Sequence, residues 1–587
     1  MYTKRFVKPL LVLLIFSGCL LNGYAQDNPN IIWIFAEDPS PWIGCYGDHI
    51  NEAATPNIDA IGNAGVIFKR AFVPAPVCSA CRSAMMVGQS AIRFGGHEHR
   101  SSRRPPDTQI YLPDGYKLLP QIMKENGYTT FNNGKTDYNF IWDPKAVYST
   151  TTNSKTDFTE LKDKQPFFGQ IQTRGGKSNT NKLDSGRKVN PKDVTVPADY
   201  PDNQIYKELV AQHYDAIRTD DDLIGSILKG LKDAGLDKNT IVVYFSDHGA
   251  NHLLRHKQMT TEGGLHVPFV IMGPEQFVPK KQVRNDLVNM IDLTASTLAW
   301  AGINQPDWYE GQNLFADSFQ ERNYVGAQKD RLDHTIDRVR TIRTDKFRYV
   351  RNYKLDRILL QPQYRDNKDY TKNLHELYET GQLSATHKEI YFGERQAEEL
   401  YDVSVDPEMV FNLVNDPAYK RELKRHRKLL SEWMEKGDKG IEEEEIASLK
   451  VHGEDKPYGE GVNIEYEEYR VDSDGDGLSD KWEILNNRDP EDGLTTFAFD
   501  CGGWQTEGWS SKDIKSNLAG YLGFLDFELN RERGAITRDG LKVIASDKDV
   551  SLEVKLRATK DIQFAFSAND REVGSAKVIG GEGFKAV

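Results

Sequence analysis

The chain has 587 residues, which is too long for a single hydrophobic core, so we expect one large domain with smaller additions. Its hydrophobic content of 38% and charged content of 28% are those of a soluble globular protein. The formal net charge of −13 argues against general binding of nucleic acid or of an anionic membrane surface, although a local basic pocket is compatible with it.

Residues 1–25 have the pattern of a bacterial-type secretory signal. Basic residues precede the apolar run Leu10–Phe16, and a site suited to signal cleavage ends at Ala25. We therefore expect the mature chain to be exported to the periplasm, the cell surface or the medium. A lipid anchor at Cys19 is the less favoured alternative, because the residues around it fit a lipoprotein box poorly. No later segment is long and apolar enough to be expected to span a membrane.

The first predicted strand, Asn30–Ala36, is a continuous apolar run typical of a buried parallel strand, and it ends directly at Glu37 and Asp38. A helix that begins near Pro56 then leads into a second strand from Val66. Open α/β sheets place their ligands at the carboxyl ends of strands. The two acidic side chains are therefore candidate ligands for a hard cation.

Cys78 stands at the start of a short predicted helix, four residues before Arg82. The free N–H groups and the dipole of a helix start favour an anionic substrate, and Arg82, one turn on, could brace a nucleophile. The alternative for this motif alone is a buried cysteine pair. A disulfide between Cys78 and Cys81 would need a strained short loop, and the four cysteines of the mature chain do not make a disulfide scaffold.

A basic run from Arg93 to Arg104 follows this helix and contains His97, His99 and Arg100. Most basic runs are solvated surface. This one follows Cys78 closely in an acidic chain, so we give equal weight to contact with a substrate anion and to a solvated surface.

Two further strands end near charged residues. The strand Tyr128–Asn132 is followed by Lys135 and Asp137, and a strand that begins after Pro166 leads to Lys177. These side chains are candidates for binding an anion or for moving a proton, and an anion-binding lysine is the favoured reading of Lys177.

A long amphipathic helix, 204–235, precedes the strongly apolar strand Ile241–Phe245. This strand ends in S-D-H-G, which places Asp247 and His248 at its carboxyl end, and Lys257 follows nine residues after His248. A D-H-G tripeptide after a strand is more often a turn than a metal site. The metal-site interpretation is supported because the other candidate motifs also follow predicted strands, in a consistent order along the chain.

Together these motifs resemble those of type I sulfatases. Cys78–Arg82, with a glycine six residues after the arginine, matches the family signature C-x-(P/A)-x-R, and the S-D-H-G and K-x4-E-G-G segments match two later family motifs. The chain departs from the family pattern at Glu37, where an aspartate is usual, at Asp137 and Lys177, where histidines are usual, and at His266, where an arginine is usual.

The resemblance implies that Cys78 is oxidised to formylglycine by a formylglycine-generating enzyme or an anaerobic sulfatase-maturating enzyme. It also implies a catalytic Ca²⁺. The implied metal ligands are Glu37, Asp38, Cys78, Asp247 and His248. The implied catalytic residues are Cys78, Arg82, Lys135, Lys257, His97, His99 and Lys177, and the implied substrate-binding residues are Arg100, Asp137, Asp333 and His334.

The segment around Asp333 and His334 resembles the branch that contains heparan N-sulfatase and bacterial polysaccharide sulfatases. The expected substrate is therefore a sulfated polysaccharide or its oligosaccharides, with algal polymers such as ulvan first and glycosaminoglycans second. Two alternatives stay open. A phosphonate or phosphodiester hydrolase could share the cysteine signature, and a catalytically silent carbohydrate-binding relative would explain the missing histidines at Asp137 and Lys177.

Residues 472–483 follow the spacing of an EF-hand-type calcium loop and resemble thrombospondin type 3 repeats. We expect a second, structural Ca²⁺ here, although Asp-Gly turns also occur in plain linkers. The predicted ligands are Asp472, Asp474, Asp476, Asp480 and Glu483. Short alternating strands and turns from residue 495 onward predict a β-sandwich-like domain, whose role is either carbohydrate binding or packing.

The predicted fold is α/β: an alkaline-phosphatase-like sulfatase core with a mixed central sheet flanked by helices, a small C-terminal antiparallel sheet, a calcium-braced spacer and a β-rich domain. The expected boundaries after the signal are 26–345 for the core, 346–440 for its C-terminal subdomain, 441–494 for the acidic linker with the calcium loop, and 495–587 for the accessory domain.

Overall fold

The computed structural model describes residues 28–103, 109–152, 156–332, 337–355, 358–360 and 363–441, with short stretches between 471 and 586. A nine-stranded mixed sheet forms its centre. The strands are β1 Asn30–Ala36, β2 Val66–Phe72, β3 Thr129–Asn133, β4 Thr150–Thr152, β5 Phe167–Thr173, β6 Thr240–Ser246, β7 His266–Val267, β8 Phe269–Met272 and β9 Gln282–Asn289.

The sheet order is β4-β3-β5-β1-β6-β8-β2-β7, with β9 paired to β2. The five strands from β4 to β6 run parallel, and β8 is antiparallel to both β6 and β2. Since β1 lies between two parallel neighbours, its carboxyl end lies beside that of β6, and Ala36 is paired with Ser246. The sheet therefore brings together two chain segments that are more than 200 residues apart.

Helices cover both faces of this sheet. They are α1 Pro56–Ala64, α2 Cys78–Val87, α3 Ala91–Phe94, α4 Leu119–Glu125, α5 Pro144–Val147, α6 Phe158–Leu161, α7 Gln204–Asp233, α8 Glu262–Leu265, α9 Ile291–Trp300, α10 Asp369–Glu379, α11 Ala385–Phe392 and α12 Lys420–Met434. Alternate residues of β1 face two different cores: Trp33 packs with α2, α4 and α9, whereas Ile34 packs with α1 and α7. This two-sided burial explains why β1 is apolar throughout.

A second, four-stranded antiparallel sheet follows the central one, in the order β10-β11-β12-β13. Its strands are β10 Val325–Lys329, β11 Val339–Arg343, β12 Phe347–Asn352 and β13 Glu398–Asp402. Helix α12 packs on this sheet through Leu430 and Trp433. The carboxylate of Glu262 in α8 binds Arg343 and Arg348, so a buried ion-pair cluster links the two sheets.

The predicted core architecture is confirmed: β1, α7 and β6 lie within two residues of their predicted bounds, and α2 begins at Cys78. Among the described residues, no helix has both the length and the apolarity needed to cross a bilayer. The further strands are β14 Trp509–Lys512, β15 Ile514–Asn517, β16 Asp526–Leu529, β17 Ala535–Arg538, β18 Lys555–Leu556, β19 Ile562–Ala568, β20 Arg571–Val578 and β21 Lys585–Ala586. They pair antiparallel two by two, and the β-sandwich and the domain boundaries stay predictions.

Candidate active site

Four buried side chains from three separate segments converge at the carboxyl edge of the central sheet. They are Asp38 after β1, Cys78 at the first position of α2, and Asp247 and His248 after β6. One ligand atom of each lies within 4.8 Å of the ligand atoms of the other three. Two carboxylates, an imidazole and a thiol are a donor set that suits a divalent cation, so the structure contains a metal-like site.

The orientation of His248 supports this assignment. Its Nδ1 lies 2.9 Å from the carbonyl oxygen of Gly249, so a proton on Nδ1 is donated to that oxygen. The lone pair of Nε2 then faces the other donors: Nε2 is 3.1 Å from Cys78 Sγ, 3.2 Å from Asp38 Oδ1 and 3.5 Å from Asp247 Oδ1. A lone pair buried against two carboxylates is unfavourable unless a proton or a metal ion lies between them.

Arg82 is fixed on every side by buried groups. Its Nε and Nη2 donate to Asp247 Oδ2 at 3.2 and 3.0 Å, its Nη1 donates to Gln172, and its guanidinium lies 4.0 Å from the ring centroid of Phe35. The other oxygen of Asp247 accepts the backbone N–H of Asp38 at 3.1 Å. Although burial raises the pKa of Asp247, His248 and Arg82 bring it down to about 2, so this carboxylate stays charged.

Asp38 adopts a left-handed backbone conformation, with φ of 64°. An aspartate tolerates this region better than most residues, and strain of this kind is concentrated at functional sites. The carboxylate is fully buried among cations: Lys177 Nζ lies 2.7 Å from Oδ2 and Lys257 Nζ lies 3.5 Å from Oδ1. The turn after β1 therefore directs both oxygens of Asp38 into the site.

Glu37, the predicted fifth metal ligand, lies beside the four-donor cluster and not within it. Its Oε1 is 3.1 Å from Lys135 Nζ, and its Oε2 is 3.3 Å from Lys177 Nζ. Lys135 also lies 3.2 Å from Asp137 Oδ2. In this structure Glu37 therefore joins two lysines, and its role as a ligand stays a prediction.

Cys78 is 3% exposed and lies among cationic side chains. Lys257 Nζ is 3.5 Å from its Sγ. Burial raises the pKa of the thiol, but the larger combined effect of Lys135 and Lys257 lowers it below its ordinary value, to about 7. The surroundings of position 78 thus favour negative charge on the side chain placed there.

Lys177 does not have the lowered pKa that would suit a proton donor. Burial lowers the pKa of this ammonium, but Asp38 raises it to above its ordinary value. The pKa of Asp137 is moved the other way: burial raises it, and Lys135, His99 and Arg100 lower it well below its usual range. Both departures from the family pattern are therefore firmly charged groups in this structure.

The basic run lies against helix α2, because the backbone N–H of Arg100 donates to Ser79 Oγ at 3.3 Å. The amide of Asn139 accepts the backbone N–H of Arg100 at 2.8 Å and donates to the carbonyl oxygen of Gly96 at 2.9 Å. His97 and His99 are 8% and 6% exposed, so these two histidines are not solvated surface. Because His99 and Arg100 act on the charge of Asp137, this loop borders the same pocket.

Several predicted residues fall outside the part of the chain that the structure describes. These are the substrate-binding candidates Asp333 and His334 and four ligands of the predicted calcium loop, Asp472, Asp474, Asp476 and Glu483. The fifth predicted ligand, Asp480, accepts the backbone N–H of Ser473 at 2.6 Å.

Sequence reasoning missed two polar residues behind the site and one at its rim. Gln172 accepts from Arg82 and donates to Asn132 Oδ1 at 2.8 Å, and Asn132 in turn donates to the carbonyl oxygen of Gly134 at 2.9 Å. Two glutamines in the otherwise apolar strand β5 were the available signal. Tyr364, which donates to Asn251 and whose ring centroid lies 6.0 Å from Lys257 Nζ, had no local signal because it comes from a distant segment.

Comparison with known proteins gives two family matches. Residues 29–303 match the family model described as Sulfatase, and residues 250–391 match N-sulphoglucosamine sulphohydrolase, C-terminal. An ulvan-active sulfatase of Formosa agariphila is 27% identical over 450 residues, which cover 70% of this chain and 75% of the relative. The N-sulphoglucosamine sulphohydrolase of Homo sapiens is 23% identical over 476 residues, covering 70% and 91%.

The solved structures agree on the fold. One described as a 2-O GAG sulfatase superposes with a TM-score of 0.50 at 19% identity, covering 70% of this chain and 92% of that one. The matched core is the part of the chain that carries the four-donor cluster and its lysines.

Proposed function

Because this chain belongs to the sulfatase family of sulfuric ester hydrolases, we propose that it is an exported, calcium-dependent enzyme that removes sulfate from a sulfated polysaccharide or its oligosaccharides. The proposed nucleophile is formylglycine made from Cys78. The observation that carries this proposal is the convergence of Cys78, two strand-end carboxylates and His248 at one buried point, with lysines around it.

The net charge of the side chains at the site supports a bound cation. Four cationic side chains face four carboxylates, so their formal charges cancel, and they are Arg82, Lys135, Lys177, Lys257, Glu37, Asp38, Asp137 and Asp247. A neutral set attracts a sulfate ester weakly. A divalent ion held by Asp38, Asp247, His248 and residue 78 would make the site positive and neutralise sulfate oxygens.

The chain's own residues then have distinct tasks. Arg82 fixes residue 78 and Asp247 relative to each other through its paired bonds. We assign the sulfate oxygens to Lys257, whose Nζ lies 3.5 Å from Cys78 Sγ, and to Lys135, whose charge acts on the same thiol. The hydrated aldehyde supplies an oxygen nucleophile together with a second hydroxyl whose deprotonation releases sulfate.

The departing sugar oxygen needs a proton. Of the three predicted candidates we assign this task to His97 or His99, because although burial lowers the pKa of Lys177, Asp38 keeps it above its ordinary value. Lys177 is held by two carboxylates, and the two histidines lie on the loop that borders Asp137. Arg100 and Asp137 on that border are placed to contact the sugar.

The substrate class rests on the relatives. One relative is named for activity on ulvan, and another for N-sulphoglucosamine. Both names denote sulfated carbohydrate units, so we place ulvan oligosaccharides first and glycosaminoglycan oligosaccharides second. Asp333 and His334 remain candidates for the sugar pocket.

The direct test is release of inorganic sulfate by full-length protein co-expressed with a maturating enzyme. Mass spectrometry of the Cys78 peptide verifies conversion. Defined ulvan and glycosaminoglycan oligosaccharides are compared with phosphate and phosphonate esters, with Ca²⁺ present and after chelation. We expect sulfate release that depends on Ca²⁺ and exceeds phosphate ester turnover.

Cys78→Ala is the inactivating variant, and Cys81→Ala is its matched control because Cys81 is a buried thiol three residues along the same helix that lies outside the cluster. Only Cys78→Ala should abolish turnover. Preferred hydrolysis of phosphonate or phosphodiesters would replace the proposal with the phosphoryl alternative. Binding of oligosaccharide by fully converted enzyme without any turnover would identify a silent relative.

A further inference from the structure

Before any conversion, position 78 carries a cysteine thiol, and in that form the site has a donor set of a different kind. Thiolate and imidazole are ligands that Zn²⁺ prefers, whereas Ca²⁺ takes almost only oxygen. We propose that the unconverted protein binds Zn²⁺ through Cys78, His248, Asp38 and Asp247, and that conversion of Cys78 removes this zinc site. The inference concerns the unconverted chain and does not depend on sulfatase activity.

The separations from His248 Nε2 suit a tetrahedral ion, and all four ligand atoms lie within 4.8 Å of one another. Zinc bonds of about 2.0 to 2.3 Å place neighbouring ligand atoms ~3.3–3.6 Å apart in a tetrahedron. His248 Nε2 lies 3.1 Å from Cys78 Sγ, 3.2 Å from Asp38 Oδ1 and 3.5 Å from Asp247 Oδ1. These three separations are within a few tenths of an ångström of the expected edges.

The surrounding groups fix the ligands in orientations that suit a metal. The Nδ1 atom of His248 is directed at the carbonyl oxygen of Gly249, which leaves Nε2 facing the cluster. Asp247 is held by Arg82 through Oδ2, so its Oδ1 remains on the side of Nε2. A site whose ligands are oriented before the ion arrives loses little conformational entropy on binding.

The chemistry balances without a redox partner. Zn²⁺ replaces the thiol proton of Cys78, which is released to solvent as the Zn–S bond forms. Lys177 and Lys257 also neutralise Asp38, so the ion competes with two ammonium groups for that carboxylate. When the sulfur is replaced by an aldehyde hydrate, the soft ligand is lost and an oxygen donor suited to Ca²⁺ takes its place.

The test uses full-length protein produced without a maturating enzyme, with unconverted Cys78 verified by mass spectrometry. Competition with a chromophoric chelator gives the Kd for Zn²⁺, and titration with Co²⁺ reports a metal–sulfur bond through a thiolate-to-cobalt charge-transfer band. We expect one ion per chain, the charge-transfer band, and no displacement of Zn²⁺ by an equal concentration of Ca²⁺.

Variants separate this site from other thiols. Cys78→Ser should weaken Zn²⁺ binding about 100-fold and abolish the cobalt band, and His248→Asn should weaken binding about tenfold or more. Cys81→Ser is the matched control and should change neither quantity. Absence of the band in wild-type protein, or a band that survives in Cys78→Ser, would overturn the proposal. The sulfate-release assay uses converted protein, so the two results are independent.

Discussion

Gln172 is predicted to position the catalytic apparatus without touching the substrate. Its Oε1 accepts from Arg82, and its Nε2 donates to Asn132, which holds the carbonyl oxygen of Gly134 just before Lys135. One side-chain amide therefore connects the arginine that fixes Asp247 with the loop that carries Lys135, which is proposed to bind sulfate. Gly134 has φ of 109°, and a Cβ there would lie 2.8 Å from Gln172 Cβ, so loop and glutamine are closely packed.

The perturbation is Gln172→Ala. It removes a hydrogen bond from a charged donor, worth about 1.5 to 3 kcal/mol, and a neutral one worth about 1 kcal/mol. If part of this energy orients Arg82 and Lys135 in the transition state, kcat/KM should fall about 10- to 100-fold, mainly through kcat. Gln172→Glu keeps the acceptor for Arg82 and should recover part of the loss.

Gln170→Ala is the matched control, because Gln170 lies two residues earlier in β5, donates to Tyr148 at 2.9 Å and meets Gln172 only at 3.5 Å, and it is not a hydrogen-bond partner of Arg82. Initial rates of sulfate release over a range of substrate concentrations separate kcat from KM, and thermal unfolding measures stability. The reasoning would be refuted by equal losses in both variants. A double variant with Asn132→Ala should be no worse than Gln172→Ala alone, because both residues belong to one hydrogen-bonded chain.

Three further outcomes follow from the same contacts. Arg82→Lys should lower kcat/KM at least about 100-fold, measured by sulfate release, because lysine cannot replace the paired bonds to the buried carboxylate. Gly88→Ala should lower the melting temperature for two reasons. Gly88 has φ of 75°, a left-handed conformation that costs an alanine about 1 to 2 kcal/mol, and the added Cβ would lie 2.7 Å from the Tyr309 ring. Burial raises the pKa of Glu262, but the stronger effect of Arg348 and Arg343 lowers it to about 2. The ionised carboxylate therefore contributes its full stabilisation of the fold above the pKa of the unfolded chain, ~4.3, and this contribution is lost as the pH falls toward 2. Denaturant unfolding of Glu262→Gln should therefore show a flatter loss of stability between about pH 4 and pH 2 than the wild-type chain.

Much of the fold could be predicted because its signals are local. The apolar run of β1 and the amphipathic period of α7 each determine an element from its own residues, and both are found in the structure. Parallel pairing of β1 with β6 then makes Asp38 and Asp247 neighbours. The rule that ligands bind at the carboxyl ends of strands was therefore enough to predict that these two distant acids meet.

Contacts between side chains of distant segments could not be predicted in the same way. Glu37 was predicted as a metal ligand from its place beside Asp38, and that role stays a prediction, but its ion pairs with Lys135 and Lys177 had no signal in the sequence. Tyr364 reaches Asn251 from a segment more than 100 residues away, and no spacing in the sequence encodes that contact. The position of a residue in the sequence therefore predicts the edge of the sheet at which it lies. The atoms that its side chain contacts depend on the packing of distant segments.

The two replacements of family histidines are related by charge. Asp137 and Lys177 carry opposite charges, so together they leave the net charge of two neutral histidines unchanged. Each is matched by a neighbour: Asp137 lies 3.2 Å from Lys135, and Lys177 lies 2.7 Å from Asp38. Ion-paired groups of this kind hold their charge near neutral pH, whereas imidazoles exchange protons there. The replacements thus leave the net charge of the pair at zero, and the mechanism proposed above gives the proton-donating task to the imidazoles of His97 and His99, of which His99 acts on the charge of Asp137.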